Sequence, residues 1–516
     1  MHLSRRHFLN MLAAAGGSSL VYNASLAMDF MSKDAKLTSL NLPPANDKNK
    51  SIVILGAGIA GLATAYELEK AGYNCTIIEA SHRAGGRNLT LRHGDLVDEL
   101  GNPSICNFDD NHELYMNCGP ARLPGHHQRI LHYCKALKVP LRIFANSNRL
   151  AYLHDSKNFG GKPVRIGEHM ADGRGFVAEL AHKSLTTGQL DAGLTEEDIA
   201  KFKQFIAAFG DLKESGLYEG TERAGSTVDR MLFHAKPKAP KSLTELINSP
   251  LFSRLQFMSE AYDWGEPLMT PEGGMDKIVD GFMGALKSPV ILNAQVKSIY
   301  QGDNEVEVSY VKDGKVVKHK ANYCFNNIPA HFMSGIYNNL SENYRTALGA
   351  LKRGKLFKIG FQMKERFWED EGIYGGISYT DLPVTQIWYP SNDIFGEKGI
   401  MLGAYVWGNE QNEYFERMTP KQRLIVAAEN GEKIHPGYAK YIETGVSIPW
   451  SRMNHMMGCG SRMSEDDHKK YFSLLQQPDG RHFMIGDQIS YHPGWQEGAL
   501  ASAENALSIF SQQVGK

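Results

Sequence analysis

Apolar residues follow two rhythms along this chain, one of short unbroken runs and one of helical period. Ile52-Val53-Ile54-Leu55 is a β-branched run too short for a helix, and predicts a buried strand. After Gly56 the pattern becomes amphipathic through Leu68 and stops near Gly72, which predicts a helix. Residues 75–78 return to a buried strand that ends at Glu79. Leu96 to Gly101 reads as a short strand and turn. Residues 126–137 place Ile130, Leu131, Cys134 and Leu137 on one helical face. From about 164 to 261 the pattern is helical with a polar exterior. Within it Thr195 caps an acidic first turn, Glu196-Glu197-Asp198, ahead of Ile199, Phe202 and Phe205, and prolines and lysines interrupt it over 235–241. Strands are predicted at 289–292, 296–300 and 306–311, with Asp313-Gly314 as a hairpin turn. Phe483-Met484-Ile485 is a last buried strand before Gly486-Asp487, and residues 496–510 form a last helix.

The first strand, helix and second strand enclose Gly56, Gly58 and Gly61 at G-x-G-x-x-G spacing. The first glycine permits the tight turn, the second lets backbone approach a pyrophosphate, and the third lets helix and strand pack closely. The helix N-terminus offers free N–H groups and the positive end of its dipole to that phosphate. Glu79, at the tip of the second strand, is placed for the hydroxyls of an adenosine ribose. Strand, turn, helix, strand and acid in this order predict a dinucleotide site.

The run from Glu79 and Ala80 through Arg83 and Gly85-Gly86-Arg87, E-A-x-x-R-x-G-G-R, resembles the signature of the flavin amine oxidases. There it wraps the FAD pyrophosphate, and a guanidinium fork beside glycines suits a phosphate. Cys118-Gly119-Pro120-Ala121-Arg122 narrows the resemblance to bacterial L-amino acid oxidases, in which the arginine of G-P-x-R grips the substrate carboxylate. The resemblance implies further roles in turn. Lys358, nine residues before Phe367-Trp368, would hold a water against the flavin N5. Tyr389, before Pro390, would join Arg122 on the carboxylate. Trp495 would wall the substrate slot, and backbone at Val296 would meet the adenine. Asp487 would bond a ribitol or pyrophosphate-side hydroxyl. Ile59, Ala60, Gly119, Pro120, Ala121, Arg122, Gly486, Gly494, Trp495, Gln496 and Ala499 complete the implied FAD contacts. Some relatives carry a histidine upstream of the Gly273-Gly274-Met275-Asp276 turn, where this chain reads Phe257-Met258-Ser259. His126 and His127 are read as surface residues at a helix start, and Lys352, Arg353 and Lys355 as solvated.

The implied fold is α/β: a discontinuous Rossmann-like FAD-binding domain (50–105, 265–335 and 478–516), an interleaved mixed-sheet substrate domain (106–160 and 336–477) and a helical insert (161–264). The implied reaction is oxidative deamination of an L-amino acid with oxygen as acceptor. A monoamine or polyamine oxidase and a non-oxidase flavin dehydrogenase stand as alternatives.

With 516 residues and a formal net charge of -1, the chain offers nothing for nucleic acid or an anionic membrane. Ser4-Arg5-Arg6-His7-Phe8-Leu9 has the twin-arginine form and precedes a short apolar stretch and Ser25-Leu26-Ala27. Residues 1–27 are therefore read as a signal for export of a folded protein, to the periplasm or beyond, without stable membrane insertion, and 28–49 as a linker. The six cysteines form no CxxC pair, so no metal site is expected and none is assigned to catalysis. The resemblance allows a homodimer.

Overall fold

The computed structural model describes residues 40, 42–186, 195–228, 232, 236–252 and 261–515. The twin-arginine segment and Phe257-Met258-Ser259 lie outside the described residues.

Ser51–Leu55 is the centre of a five-stranded parallel sheet. Asn74–Ile78 and then Val290–Ile291 lie to one side of it, and Tyr323–Asn326 and then His482–Met484 to the other. Its residues from Ile52 on are buried because both sheet faces are covered, which is why the run is unbroken and not alternating. Helices Ile59–Lys70, Lys277–Ala285 and Gln496–Val514 cover one face through a shared core that includes Leu62, Phe282, Phe325 and Phe510. A small sheet of Gln295–Gln301, Val306–Lys312 and Lys315–Ala321, with Tyr337–Asn338 added in parallel, packs on the other. The hairpin between its second and third strands turns at Asp313 and Gly314, both at positive φ as a two-residue turn requires.

A second, seven-stranded mixed sheet runs from Val164–Arg165 through Tyr152–His154, Ile377–Thr380, Gln386–Trp388, Gly399–Val406 and Phe357–Met363 to Ile442–Pro449. Phe361 lies between two glycines of neighbouring strands: a Cβ at Gly403 or Gly445 would stand 2.4 or 2.6 Å from its ring. On the opposite face Lys358, Gly360 and Gln362 point at the segment 109–119. Gln362 accepts from Asp109 N–H at 2.7 Å, and a Cβ on Gly360 would meet the Met116 sulfur. Helices Ile166–Thr186, Glu196–Gly210 and Leu243–Asn248 form the helical part, and Thr195 closes a capping box with Asp198 as its sequence predicts.

Candidate active site

A cavity of about 610 Å³ runs along the carboxyl edge of the parallel sheet, where ligands bind in open α/β folds. Gly56, Gly58, Ile59, Ala60, Glu79, Ala80, Gly86 and Arg87 line it from the first motif, and Gly119 and Pro120 from the second. Val296, Asp487, Gly494, Trp495, Gln496 and Ala499 complete the predicted wall. The glycines act as their spacing implies. A Cβ on Gly58 would fall 2.7 Å from the Asn327 amide, and one on Gly61 2.2 Å from the Gly56 carbonyl oxygen. Gly61 thus packs helix on strand and does not face the cavity. Gly486, at φ +110, likewise lies behind the wall, its N–H donating to Ser502 Oγ.

Glu79 is buried, and its two oxygens accept from the Ala57 and Ser81 N–H groups at 2.7 and 2.8 Å. Burial pushes its carboxyl pKa up despite those bonds. Arg83 departs from its expected role. Its guanidinium donates to the carbonyls of Ala84, Gly86 and Asn88, so it shapes the glycine turn from behind and does not line the cavity. Arg87 does line it, held by a two-pronged ion pair with Asp487, which also accepts from Gly494 N–H at 2.7 Å. Burial opposes charge on Asp487, but Arg87 outweighs it and keeps the carboxyl below its usual pKa.

Arg353, read as solvated, instead lines the cavity. It donates to the carbonyls of Met456, Gly458 and Gly460 and has no carboxylate bond among the described residues. Burial first, and Arg87 second, bring its pKa down to about 10. Arg87 is paired with Asp487 and Arg353 is not, which leaves a positive surface for a phosphate anion. Nothing in the spacing of Lys352-Arg353 distinguished this arginine from an exposed one.

Beyond Pro120 the chain enters an aromatic enclosure. Arg122 is 6% exposed and forms no ion pair among the described residues; its Nε has no partner. Its Cζ lies 4.0, 5.0 and 5.9 Å from the ring centres of Trp264, Trp388 and Trp495. Burial lowers its pKa, though a guanidinium stays charged at any working pH. Lys358 is fully buried on the adjacent strand and donates to the carbonyls of Asn117 and Gly119 at 3.1 and 2.6 Å. Two of its three donor positions are thus engaged. Burial brings its pKa down to about 7, and Arg122 adds to the effect. Arg122, Ala121 and Lys358 stand one layer behind the cavity wall, while Tyr405, Trp407 and Trp495 form its surface at this end.

Tyr389 does not share this enclosure. Its hydroxyl lies 2.6 Å from both Ser378 Oγ and His435 Nε2, and His435 Nδ1 lies 3.0 Å from Glu371. The reason is the two-residue period of a strand: Trp388 turns its ring to Arg122, so the next residue faces away. Tyr405 and Tyr379 are the tyrosines close enough to act on Arg122, and the Tyr405 ring packs at 4.8 Å on Trp388 and 4.6 Å from the Lys358 ammonium. Tyr389→Phe is therefore expected to lower stability by about 1–3 kcal/mol through two unmatched buried partners, with substrate KM unchanged. Thermal melts beside steady-state kinetics test this, and a large rise in KM would restore Tyr389 to the site.

His126 and His127 are not merely surface residues at a helix start. His127 is buried, and both Nε2 atoms lie against Asp263 Oδ1, at 2.8 and 3.0 Å. His492 Nε2 lies 3.3 Å from the same oxygen.

Comparison with known proteins agrees with the fold. The family model described as flavin containing amine oxidoreductase matches residues 59–506. Bacillus subtilis (strain 168) YobN, whose name gives L-amino-acid oxidase as a provisional assignment, is 26% identical over 480 residues, 89% of this chain and 94% of that protein. The L-amino-acid oxidase of Protobothrops flavoviridis is 27% identical over 479 residues, 89% of this chain and 88% of its own. Among solved structures, wild-type putrescine oxidase bound to putrescine superposes with a TM-score of 0.60 at 17% identity, covering 90% of this chain and 99% of that one.

Proposed function

The chain belongs to the flavin-containing amine oxidoreductase family, and within it we propose that this member oxidatively deaminates L-α-amino acids. Amino acid, oxygen and water would give a 2-oxo acid, ammonia and hydrogen peroxide. The cofactor of the family is FAD, and the cavity suits it. The glycine turn leaves space that any Cβ would fill, the Arg87–Arg353 wall carries excess positive charge, and two helix N-termini, at Ile59 and Gln496, face inward.

One observation carries the substrate class. Arg122 is a buried cation without a protein carboxylate among the described residues, one layer behind the cavity wall that Tyr405, Trp407 and Trp495 form. A buried charge without a counterion is costly, and a substrate carboxylate would supply one in fork geometry. The relatives named L-amino-acid oxidases support the same reading. Tyr405, in place of Tyr389, would offer the second contact. FAD, when bound, supplies a two-electron acceptor for the α-hydrogen. The chain's own part is to fix the carboxylate at Arg122, to set the α-carbon by that grip, and to exclude water with Trp264, Trp388, Trp407 and Trp495. The amino group must be neutral for this oxidation.

Lys358 would serve the oxygen step as a cation near the charge that oxygen gains. With its pKa near 7, the ammonium is present below that pH, so this step accelerates as pH falls through 7. Lys358→Met should slow it by about 10²-fold and flatten the profile between pH 6 and 8. Stopped-flow reoxidation reads both, and an unchanged profile removes Lys358 from the reaction.

The aromatic enclosure also favours a second reading, an oxidase of simple amines, in which the rings alone would hold a cation. Peroxide release on amines but not on amino acids selects it. Export of the folded protein under direction of residues 1–27 belongs to the proposal as well. Retention of the enzyme in the cytoplasm after Arg5→Lys together with Arg6→Lys tests it, and unchanged export counts against it. Among the described residues no helix is long and apolar enough to cross a membrane.

A further inference from the structure

Three histidines direct Nε2 at one oxygen, from stretches far apart in the chain. His126 and His127 precede the helix Gln128–Ala136, Asp263 lies in the turn that ends at Gly265, and His492 stands just before the helix Gln496–Val514. The nitrogen-to-oxygen distances are 2.8, 3.0 and 3.3 Å, and the ligand atoms of His126, His127 and Asp263 all lie within 4.8 Å of one another. Around a four-coordinate ion with bonds of 2.0–2.1 Å, neighbouring ligand atoms stand roughly 3.3 Å apart. The nitrogen-to-oxygen distances are close to that value; His126, His127 and Asp263 form the tight group, and His492, held to it through Asp263, must draw in to complete the four. A hydrogen-bonded staple would need one imidazole on the carboxylate, whereas here three converge on a single oxygen.

We propose that His126, His127, His492 and Asp263 form a binding site for a divalent transition-metal ion of the zinc class. Three imidazoles and one carboxylate suit Zn²⁺, Co²⁺ or Ni²⁺, and too few oxygens are present for Ca²⁺ or Mg²⁺. The site is tied to the enclosure next to it. Asp263 adjoins Trp264, whose ring covers Arg122 at 4.0 Å. His127 meets the Trp495 ring edge-on at 5.0 Å, and His492 stacks on it at 5.7 Å. A bound ion pins both tryptophans around Arg122 and so restricts exchange at the substrate end.

The test uses the flavin-loaded full protein, freed of metal by a chelator and titrated with Zn²⁺ alone by calorimetry and by equilibrium dialysis with metal analysis. One equivalent per chain is expected, with affinity on the order of 100-fold weaker in each of His126→Ala and His492→Ala, two of the less buried ligands. Failure to bind one equivalent, or an affinity in both variants unchanged from the parent protein, overturns the site and leaves a hydrogen-bonded staple. Zn²⁺ should also lower kcat/KM several-fold in the parent protein and not in His492→Ala. Stoichiometric binding with kcat/KM unchanged refutes the link to the tryptophans. The binding readout needs no substrate, so it stands or falls apart from the proposed reaction.

Discussion

Arg122→Ala is expected to lower kcat/KM for the preferred L-amino acid by about 100-fold or more, with the flavin spectrum intact. The estimate follows from leaving a desolvated carboxylate without its partner, a loss of about 3 kcal/mol. The same variant separates a ligand-binding arginine from a structural one. An arginine that held the protein together would be bonded to a protein carboxylate or, as Arg83 is, to backbone carbonyls, and its loss would cost several kcal/mol of stability. Arg122 has no such pair among the described residues and rests among three tryptophan rings. Its removal should therefore leave the melting temperature nearly unchanged while activity collapses. Arg122→Lys keeps the charge but not the fork, and should recover only part of the loss. Steady-state kinetics beside thermal melts decide it. Full activity in Arg122→Ala, or a large drop in melting temperature, contradicts the assignment.

Gly119→Ala should abolish flavin retention. A Cβ there would stand 1.9 Å from the Arg87 carbonyl oxygen and 3.0 Å from its carbon. Both obstacles are backbone, so no side chain can swing aside. The two segments that must part are those that line the cavity from either side: Arg87 with its Asp487 partner, and Gly119-Pro120. Gly119 O also receives the Lys358 ammonium, so the shift would disturb that buried cation as well. Overpacking of this kind costs typically 1–3 kcal/mol even where neighbours can relax, and more where they cannot. Absorbance at 450 nm per mole of purified chain is the readout, and a yellow, fully loaded variant would show that the junction yields.

Local chemistry made much of the molecule legible in advance. The apolar run 52–55, the three glycines and Glu79 define the dinucleotide edge because each residue has a backbone reason to stand where it does. Thr195 with Asp198 and Asp313 with Gly314 were readable for the same cause. What escaped depends on contacts between distant segments. Arg83 and Arg87 sit four residues apart in one motif, yet one turns back on its own loop and the other meets Asp487, 400 residues on. The neighbour Pro390 points to Tyr389, but strand alternation gives the inward position to Trp388, and Tyr405 comes in from another strand. Trp264, Trp407 and Arg353 lie in stretches with no motif at all. The histidine cluster draws ligands from residues 126, 127, 263 and 492, a spacing that no local pattern reveals.

The most direct measurement is kcat/KM of the purified flavoprotein for an L-amino acid and for the amine that lacks only its carboxylate, such as L-phenylalanine and phenethylamine, by peroxide release in air. The carboxylate grip at Arg122 predicts turnover of the amino acid with the amine at least about 100-fold poorer. An amine oxidised as well as or better than its parent amino acid would contradict it, and would leave Arg122 as part of the aromatic wall alone.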